Sequence, residues 1–153
     1  MSEMINKIAR LFPTATYGAP CTEAELVEAE ELVGAPLPAE LRTMYLHFNG
    51  IWVPGYRTRL FCLLPRHANT SLVKSTLFWR TGPGPGAVQD IIFFGMSSKQ
   101  YYFGIRTTQP QSIVEYNYDL DEPEFLAPTI VEAYIKDEEW VKSLGLPPPG
   151  GAD

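Results

Sequence analysis

The two histidines and two cysteines are the first residues to test for catalytic or metal-binding chemistry. His47 lies in a segment with helical apolar spacing and His67 in a polar stretch beside Arg66. Neither belongs to a motif that holds a metal or activates a nucleophile. Cys21 and Cys62 match no zinc or redox spacing, although a disulfide between them stays open as an alternative. We therefore predict no catalytic residue, no metal site and no cofactor, and a chain that is not an enzyme.

The run of alternating glycine and proline from Gly82 to Gly86 superficially resembles a phosphate-binding loop. Its prolines lack the backbone N–H donors that such a loop needs, and no Lys-Ser or Lys-Thr pair follows them. The favoured interpretation is a surface loop without ligand chemistry.

Four carboxylates lie close together near the end of the region predicted as a sheet, at Asp119, Asp121, Glu122 and Glu124. They resemble part of a calcium-binding loop, but the glycine and the closing glutamate of such a loop are missing. A solvated acidic turn is the favoured reading. Exposed acidic groups of this kind are suited to steer and bind a basic protein partner.

Several aromatic residues lie in or beside the predicted strands, where successive side chains point to opposite faces. Tyr101 and Tyr102 therefore face opposite ways, so at least one of them is expected at the surface. Exposed aromatic rings near arginines are typical of protein-binding hot spots. The residues predicted to bind a partner are Trp79, Tyr101, Tyr102, Asp119, Asp121, Glu122 and Glu124.

The composition is that of one globular domain. The chain has 153 residues, of which 45% are hydrophobic and 20% charged, which excludes a disordered chain, a coiled coil and a disulfide scaffold. Its first residues lack the pattern of a signal peptide, and no apolar stretch approaches the ~20 residues of a membrane helix. We therefore expect a cytoplasmic protein with no membrane partner.

The charge is acidic but unevenly distributed. The net charge is -6, yet residues 41–89 contain six basic residues and no acidic one. These charges either form a positive face beside negative ones or interleave in the folded protein. An acidic chain binds nucleic acid poorly, so no direct nucleic-acid partner is predicted.

Helical signals dominate the first third of the chain. Residues 2–12 have amphipathic spacing and precede a connector that ends at residue 21. A second helix starts at a capping box of Thr22 and Glu25 and ends at Gly34. A third follows at once, with Pro38 at its first position, and Asn49-Gly50 ends it.

Strand signals follow, and then helical ones. Residues 72–80 are ambiguous between strand and helix. A last helix starts near Pro128 and is expected to break at Asp137, which interrupts its apolar face. The order favours an α+β fold with N-terminal helices, a central antiparallel or mixed sheet of about four to six strands, and C-terminal helices packed on the sheet. The predicted strands are residues 58–64, 90–95, 100–106 and 112–118.

Residues 22–50 resemble the N-terminal signature of the SUKH superfamily, the Smi/Knr-like group, in which an acidic helix precedes Gly-x-x-Leu-Pro and a helix ending in Asn-Gly. Weaker similarity extends the match to about residue 144, with Thr129-Ile130 where the family commonly has a Ser-Phe pair. The predicted domain is therefore 1–153, comprising a lead-in over 1–21, the signature region and a Pro/Gly tail over 145–153. The signature positions, which we interpret as caps and core contacts, are Gly34, Leu37, Pro38, Leu41, Phe48, Asn49 and Gly50.

The resemblance implies an α+β fold and, in bacteria, a non-enzymatic immunity protein. Such a protein binds and neutralises a cognate toxin domain, often a nuclease or a nucleic-acid deaminase. The alternative is a regulatory protein–protein interaction module without a toxin partner, as in the fungal members. An enzyme with a sheet pocket lined by Tyr and Arg is a third reading, disfavoured because no general base is evident. The oligomeric state is left open.

Overall fold

The protein is described by a computed structural model over residues 2–55, 58–82 and 86–145. Residues 83–85 of the glycine-proline run and the Pro/Gly tail after Gly145 lie outside the described residues. The described residues form five α-helices: α1 (Glu3–Leu11), α2 (Glu23–Val33), α3 (Ala39–His47), α4 (Leu72–Thr81) and α5 (Ile130–Ser143).

The helices begin where the sequence supplies side-chain caps. Thr22 and Glu25 form the predicted capping box of α2, with Glu25 N–H donating to Thr22 Oγ1 over 3.2 Å. Ser71 caps α4 in the same way, because its hydroxyl accepts from Lys74 N–H at 3.0 Å. This cap settles the ambiguous segment 72–80 as a helix.

The strands form two antiparallel sheets, so the α+β class is confirmed. The three-stranded sheet contains β1 (Thr16–Tyr17), β2 (Ile51–Trp52) and β3 (Thr58–Leu60). The four-stranded sheet is a meander in which each strand pairs with the next. Its members are β4 (Ile91–Met96), β5 (Tyr102–Arg106), β6 (Ile113–Tyr116) and β7 (Glu124–Ala127).

The four-stranded sheet is apolar on both faces. One face contributes Ile92, Phe94, Phe103 and Ile105 to the main core, which also contains buried residues of α1, α2, α3 and α5. The opposite face carries a smaller cluster, here called the small core, which α4 covers. The small core consists of Trp79, Val88, Ile91, Phe93, Val114 and Tyr116.

Helix α4 also protects the edge of the sheet at β4. The hydroxyl of Thr76 accepts from Phe93 N–H at 2.9 Å, and Arg80 donates to the carbonyl of Ile91 at 3.1 Å. On the same strand, Phe61 N–H donates to the carbonyl of Phe94 at 2.7 Å. These bonds satisfy groups that an edge strand would otherwise leave open to pairing with another chain.

The signature residues serve the backbone and the core. Gly34 ends α2 with φ +75°, a left-handed conformation that a side chain would disfavour. The Asn49 side chain accepts from Leu63 N–H at 2.7 Å and contacts His67 Nδ1 at 3.0 Å, so it fixes the chain beyond α3. Pro38 lies directly before α3 rather than within its first turn. The remaining signature residues, Leu37, Leu41, Phe48 and Gly50, are buried.

A buried ion pair joins β3 to α5. The Arg59 side chain is fully buried, and its guanidinium lies 2.9 Å from Asp137 Oδ2 and 3.1 Å from Glu138 Oε2. It also donates to Ser98 Oγ at 2.7 Å, while Asp137 accepts from both Ser98 N–H and Ser98 Oγ. The Tyr134 hydroxyl donates to the carbonyl of Arg59 at 2.7 Å.

The predicted break of the last helix at Asp137 is wrong. Helix α5 continues from Ile130 to Ser143, and Asp137 lies on its buried face. The carboxylate interrupts the apolar pattern because it faces a buried arginine, a partner that is distant in sequence.

We predict that Asp137→Asn lowers the free energy of unfolding by about 3 kcal/mol, because the buried guanidinium of Arg59 loses its closest carboxylate. The change is measured by denaturation in urea, because guanidinium salts would screen the ion pair and uncharged urea does not. Glu132→Gln, at an exposed position of the same helix, is the matched control and should change stability by less than about 0.5 kcal/mol. A loss of less than about 1 kcal/mol in Asp137→Asn would contradict the structural role of the pair.

Candidate partner-binding surface

An exposed cluster of aromatic rings lies over the small core. Trp79 is 1% exposed, and the ring of Tyr118 packs against its ring at a tilt of 55°, with the ring centroids 4.8 Å apart. Phe78 contacts Trp79 edge-on at 5.2 Å, and Tyr102 does so at 5.4 Å. Tyr118 is 65% exposed and Phe78 is 45% exposed, while Tyr102 is partly buried. We call Phe78, Tyr102 and Tyr118 the aromatic surface.

The loop that joins β6 to β7 borders this surface. Leu120 packs against the small core, which anchors the loop, and Asp119, Asp121 and Glu122 are exposed. We call residues 117–123 the acidic loop. Burial raises the pKa of Tyr116, and the nearby charge of Asp121 raises it further.

The acidic loop is tied to the turn between β4 and β5. The Asn117 side-chain amide donates to the carbonyl of Gln100 at 2.7 Å. The two connections therefore lie together at one end of the sheet, and both are positioned by strands that are mostly buried. Rigid strands of this kind hold loop residues in place for binding.

The predicted partner-binding residues do not form one group. Tyr102, Asp119, Asp121 and Glu122 lie on the aromatic surface or the acidic loop. Trp79 is buried, so its indole supports Tyr118 from below and is not available to a partner; its place in the predicted set is corrected.

A further member of the set faces away from the aromatic surface. Glu124 is the register partner of Glu115, so it lies on the face of the sheet that packs against α5 and does not share a face with Tyr118. Tyr101 directly precedes β5 and is half-buried in the turn between β4 and β5.

Sequence reasoning missed Tyr118 and Phe78 as surface residues. Tyr118 continues the alternation of Val114 and Tyr116, which predicts a buried position, but β6 ends at Tyr116 and the ring covers Trp79 from outside. Phe78 and Trp79 are consecutive residues, so in a helix their side chains point about 100° apart. When Trp79 packs on the sheet, Phe78 is directed away from it, and this is the signal that could have indicated its exposure.

A shallow cavity of about 210 Å³ adjoins the aromatic surface. Its lining is polar apart from the two aromatic rings, so it adds hydrogen-bonding groups to the edge of the surface. The lining residues are Asn69, Thr70, Lys74, Ser75, Phe78 and Tyr102.

The two histidines, which would be the first candidates for acid–base catalysis, form hydrogen bonds within the fold. His67 Nδ1 accepts from Leu64 N–H at 3.1 Å and from the Asn49 amide, so the ring proton lies on Nε2, 3.0 Å from Glu25. His47 Nδ1 lies 2.9 Å from the carbonyl of Thr43, one turn earlier in its helix.

The cysteines are also structural. Both are free and buried, and the Cys62 thiol donates to the carbonyl of Asn49 at 3.5 Å. Burial raises the pKa of Cys21 to about 12, which keeps it a thiol at neutral pH. Within the described residues no three His, Cys, Asp or Glu side chains converge to hold a metal ion, and no helix there has the length and apolarity to span a membrane.

A second pocket lies on the opposite side of the sheet, beneath α5. Glu115 is 7% exposed there. Burial raises the pKa of its carboxyl, and Asp137 and Glu124 add to the increase, while Lys99 and a hydrogen bond with Ser97 oppose it. We call this the Glu115 pocket.

Comparison with known sequences finds one family. A sequence profile described as the SMI1 / KNR4 family (SUKH-1) matches residues 20–134, which is 115 of the 153 residues. The match begins after β1 and covers the signature helices, strands β2 and β3, the four-stranded sheet and the start of α5. No curated protein matches the chain significantly.

We predict that Glu115→Gln is more stable than the parent protein at pH 7. The raised pKa means that the folded state holds the Glu115 proton more tightly than the unfolded state, so ionisation at neutral pH opposes folding. The advantage of the amide should shrink as the pH falls from the raised pKa of Glu115 towards 4.5, the ordinary value for this group, and should be lost below 4.5, because both states are then protonated.

Thermal unfolding of both proteins between about pH 4 and pH 8 measures this difference. Glu132→Gln, which neutralises an exposed carboxylate on α5, should show no comparable dependence on pH. A lower stability of Glu115→Gln at pH 7, or a gain that is the same at every pH, would show that burial does not penalise the charge of Glu115.

Proposed function

The chain belongs to the SMI1 / KNR4 family (SUKH-1), and from this membership we propose that it is a non-enzymatic immunity protein that binds and neutralises one cognate toxin domain. The observation that carries the proposal is the aromatic surface with its acidic border. These features suit a protein-binding site and supply no catalytic group. The proposed site of action is the cytoplasm.

The aromatic surface has the chemistry of a binding hot spot. Tyr118 and Phe78 expose large rings that are held rigidly against the buried Trp79, so little conformational entropy is lost when a partner covers them. Tyrosine in particular combines apolar area with a hydroxyl that can bond at the edge of an interface.

The acidic loop suits a basic partner. Its exposed carboxylates belong to a chain whose net charge is -6. A toxin domain that cuts or deaminates nucleic acid carries a basic surface for its substrate, which an acidic inhibitor would attract and cover. Such complementarity speeds association and blocks the substrate site at the same time.

The first experiment concerns the toxin itself. The C-terminal domain of any large protein encoded beside this chain is expressed in cells with and without the chain, and survival is scored. The proposal expects killing by the domain alone, rescue by the chain and a complex that co-purifies. Killing without rescue or complex would contradict it and favour a regulatory interaction module, whose partner a pull-down from the native host would identify.

We predict that the triple variant Asp119→Asn, Asp121→Asn, Glu122→Gln binds the toxin at least about tenfold more slowly at low salt, because the acidic loop loses its steering charge. Stopped-flow or surface-based kinetics at several salt concentrations measure the association rate and its salt dependence. The matched control, Glu3→Gln, Glu31→Gln, Glu132→Gln, removes the same charge at exposed positions on three helices and should retain most of the rate. Equal slowing by both variants would assign the effect to net charge alone.

We predict that Tyr118→Ala weakens the complex by about tenfold or more, mainly through faster dissociation, since a rigid exposed ring is lost from the interface. Leu46→Ala, at a 37% exposed position on α3, is the control and should leave the affinity unchanged. Unchanged affinity in Tyr118→Ala would remove the aromatic surface from the interface.

A further inference from the structure

The Glu115 pocket has a volume of about 370 Å³ and lies between the C-terminal half of α5, the β4–β5 turn and strands β6 and β7. Glu115 and Trp140 contribute its two most distinctive groups, a buried carboxyl and an indole ring. The other lining residues are Lys99, Leu126, Lys136, Asp137, Glu139 and Ser143.

A cation already occupies the aromatic wall of this pocket. The ammonium of Lys99 lies over the Trp140 ring, 5.3 Å from its centroid. The face of an indole attracts cations, which accounts for the position of this ammonium on the turn between β4 and β5. The charge of Lys99 also favours the ionised form of Glu115, so the ammonium is electrostatically coupled to the pocket.

Two other charged groups of the lining are already bonded. Asp137 is paired with Arg59, and the ammonium of Lys136 donates to the carbonyl of Leu126 at 2.7 Å, which leaves its charge in the lining. The carboxylates of Glu115 and Glu139 thus share the pocket with two ammonium groups, of which Lys99 lies over the indole. A cationic ligand is favoured at the place where the buried carboxyl and the indole face meet, because both groups attract positive charge.

We propose that the Glu115 pocket binds the guanidinium or ammonium group of an arginine or lysine side chain of the partner protein, which replaces Lys99 over Trp140. Lys99 is the internal occupant of the site and keeps the buried carboxyl compensated in the free protein. The identity of the partner as a basic toxin domain rests on the proposed function; the preference of the pocket for cations does not.

The position of the pocket is compatible with one partner that reaches both sites. The β4–β5 turn carries Lys99, and the next residue, Gln100, is bonded to Asn117 of the acidic loop. The pocket and the acidic loop therefore lie at the same end of the four-stranded sheet. A partner centred on the acidic loop can place a basic side chain beneath α5.

The direct test is a titration of the isotopically labelled protein with arginine amide at about pH 8, followed by ¹H–¹⁵N NMR. The signals to follow are the Trp140 indole and the backbone amides of the lining residues. Citrulline amide, which has nearly the same shape without the charge, is the ligand control. Arginine amide should shift these signals in a saturable way, and citrulline amide should bind at least about fivefold more weakly.

Three variants separate a cation site from its alternatives. Glu115→Gln and Trp140→Leu should each weaken arginine amide by about threefold to tenfold, because one loses the carboxylate and the other the ring face. Lys99→Ala should bind arginine amide about twofold to fivefold more tightly, because the internal competitor is gone. Lys142→Ala, an exposed lysine outside the pocket, makes the same change in net charge and is the control.

The sign of the Lys99 effect decides the question. Weaker binding in Lys99→Ala, or equal binding of arginine and citrulline amides, would overturn the cation pocket whatever the partner is. In the toxin complex, Trp140→Leu should weaken binding and Lys99→Ala should strengthen it. If arginine amide binds as expected while these variants leave the toxin affinity unchanged, the partner assignment is overturned and the cation site is retained.

Discussion

The buried guanidinium of Arg59 is the group on which the arrangement of the sheet and the last helix depends. It joins β3 to Asp137 and Glu138 of α5 and to Met96 and Ser98 at the end of β4. Removing an arginine from water is costly, and the cost is offset only while these acceptors surround it. The ion pair therefore sets where α5 crosses the sheet more strictly than apolar contacts alone would.

This constraint extends to the surface. Ser98 is bonded to both members of the ion pair and is followed by Lys99 and Gln100. The β4–β5 turn is thereby fixed from beneath, and its bond to Asn117 positions the acidic loop beside it. The network of Arg59, Asp137 and Ser98 thus holds in place the surface that we propose for toxin binding. The Glu115 pocket shares Asp137 with the same network.

Local signals in the sequence were sufficient for elements whose determinants are near neighbours. The capping box at Thr22, the left-handed Gly34 and the alternation of β6 predicted their parts of the fold, because each depends on residues a few positions apart. Asp137 was misread because its partner Arg59 is far away in sequence. The strands β1, β2 and β7 were missed because they are short or carry exposed polar residues, and only pairing with a neighbouring strand defines them.

The candidate site also combines features that the local sequence predicts with features that depend on distant contacts. The acidic loop follows from composition, since carboxylates grouped at a turn remain in water. The exposure of Tyr118 and the burial of Trp79 depend on how α4 packs across the sheet, which the spacing of aromatic residues does not encode.

The central claim is that the acidic loop and the aromatic surface are covered by the partner. This claim is tested most directly by hydrogen–deuterium exchange of the protein alone and in complex with the toxin domain that it neutralises. The account predicts slower exchange in the complex over residues 117–123 and at the C-terminal turn of α4, with α1 unchanged. Protection confined to α1, α2 or other regions, with no change over residues 117–123, would contradict it.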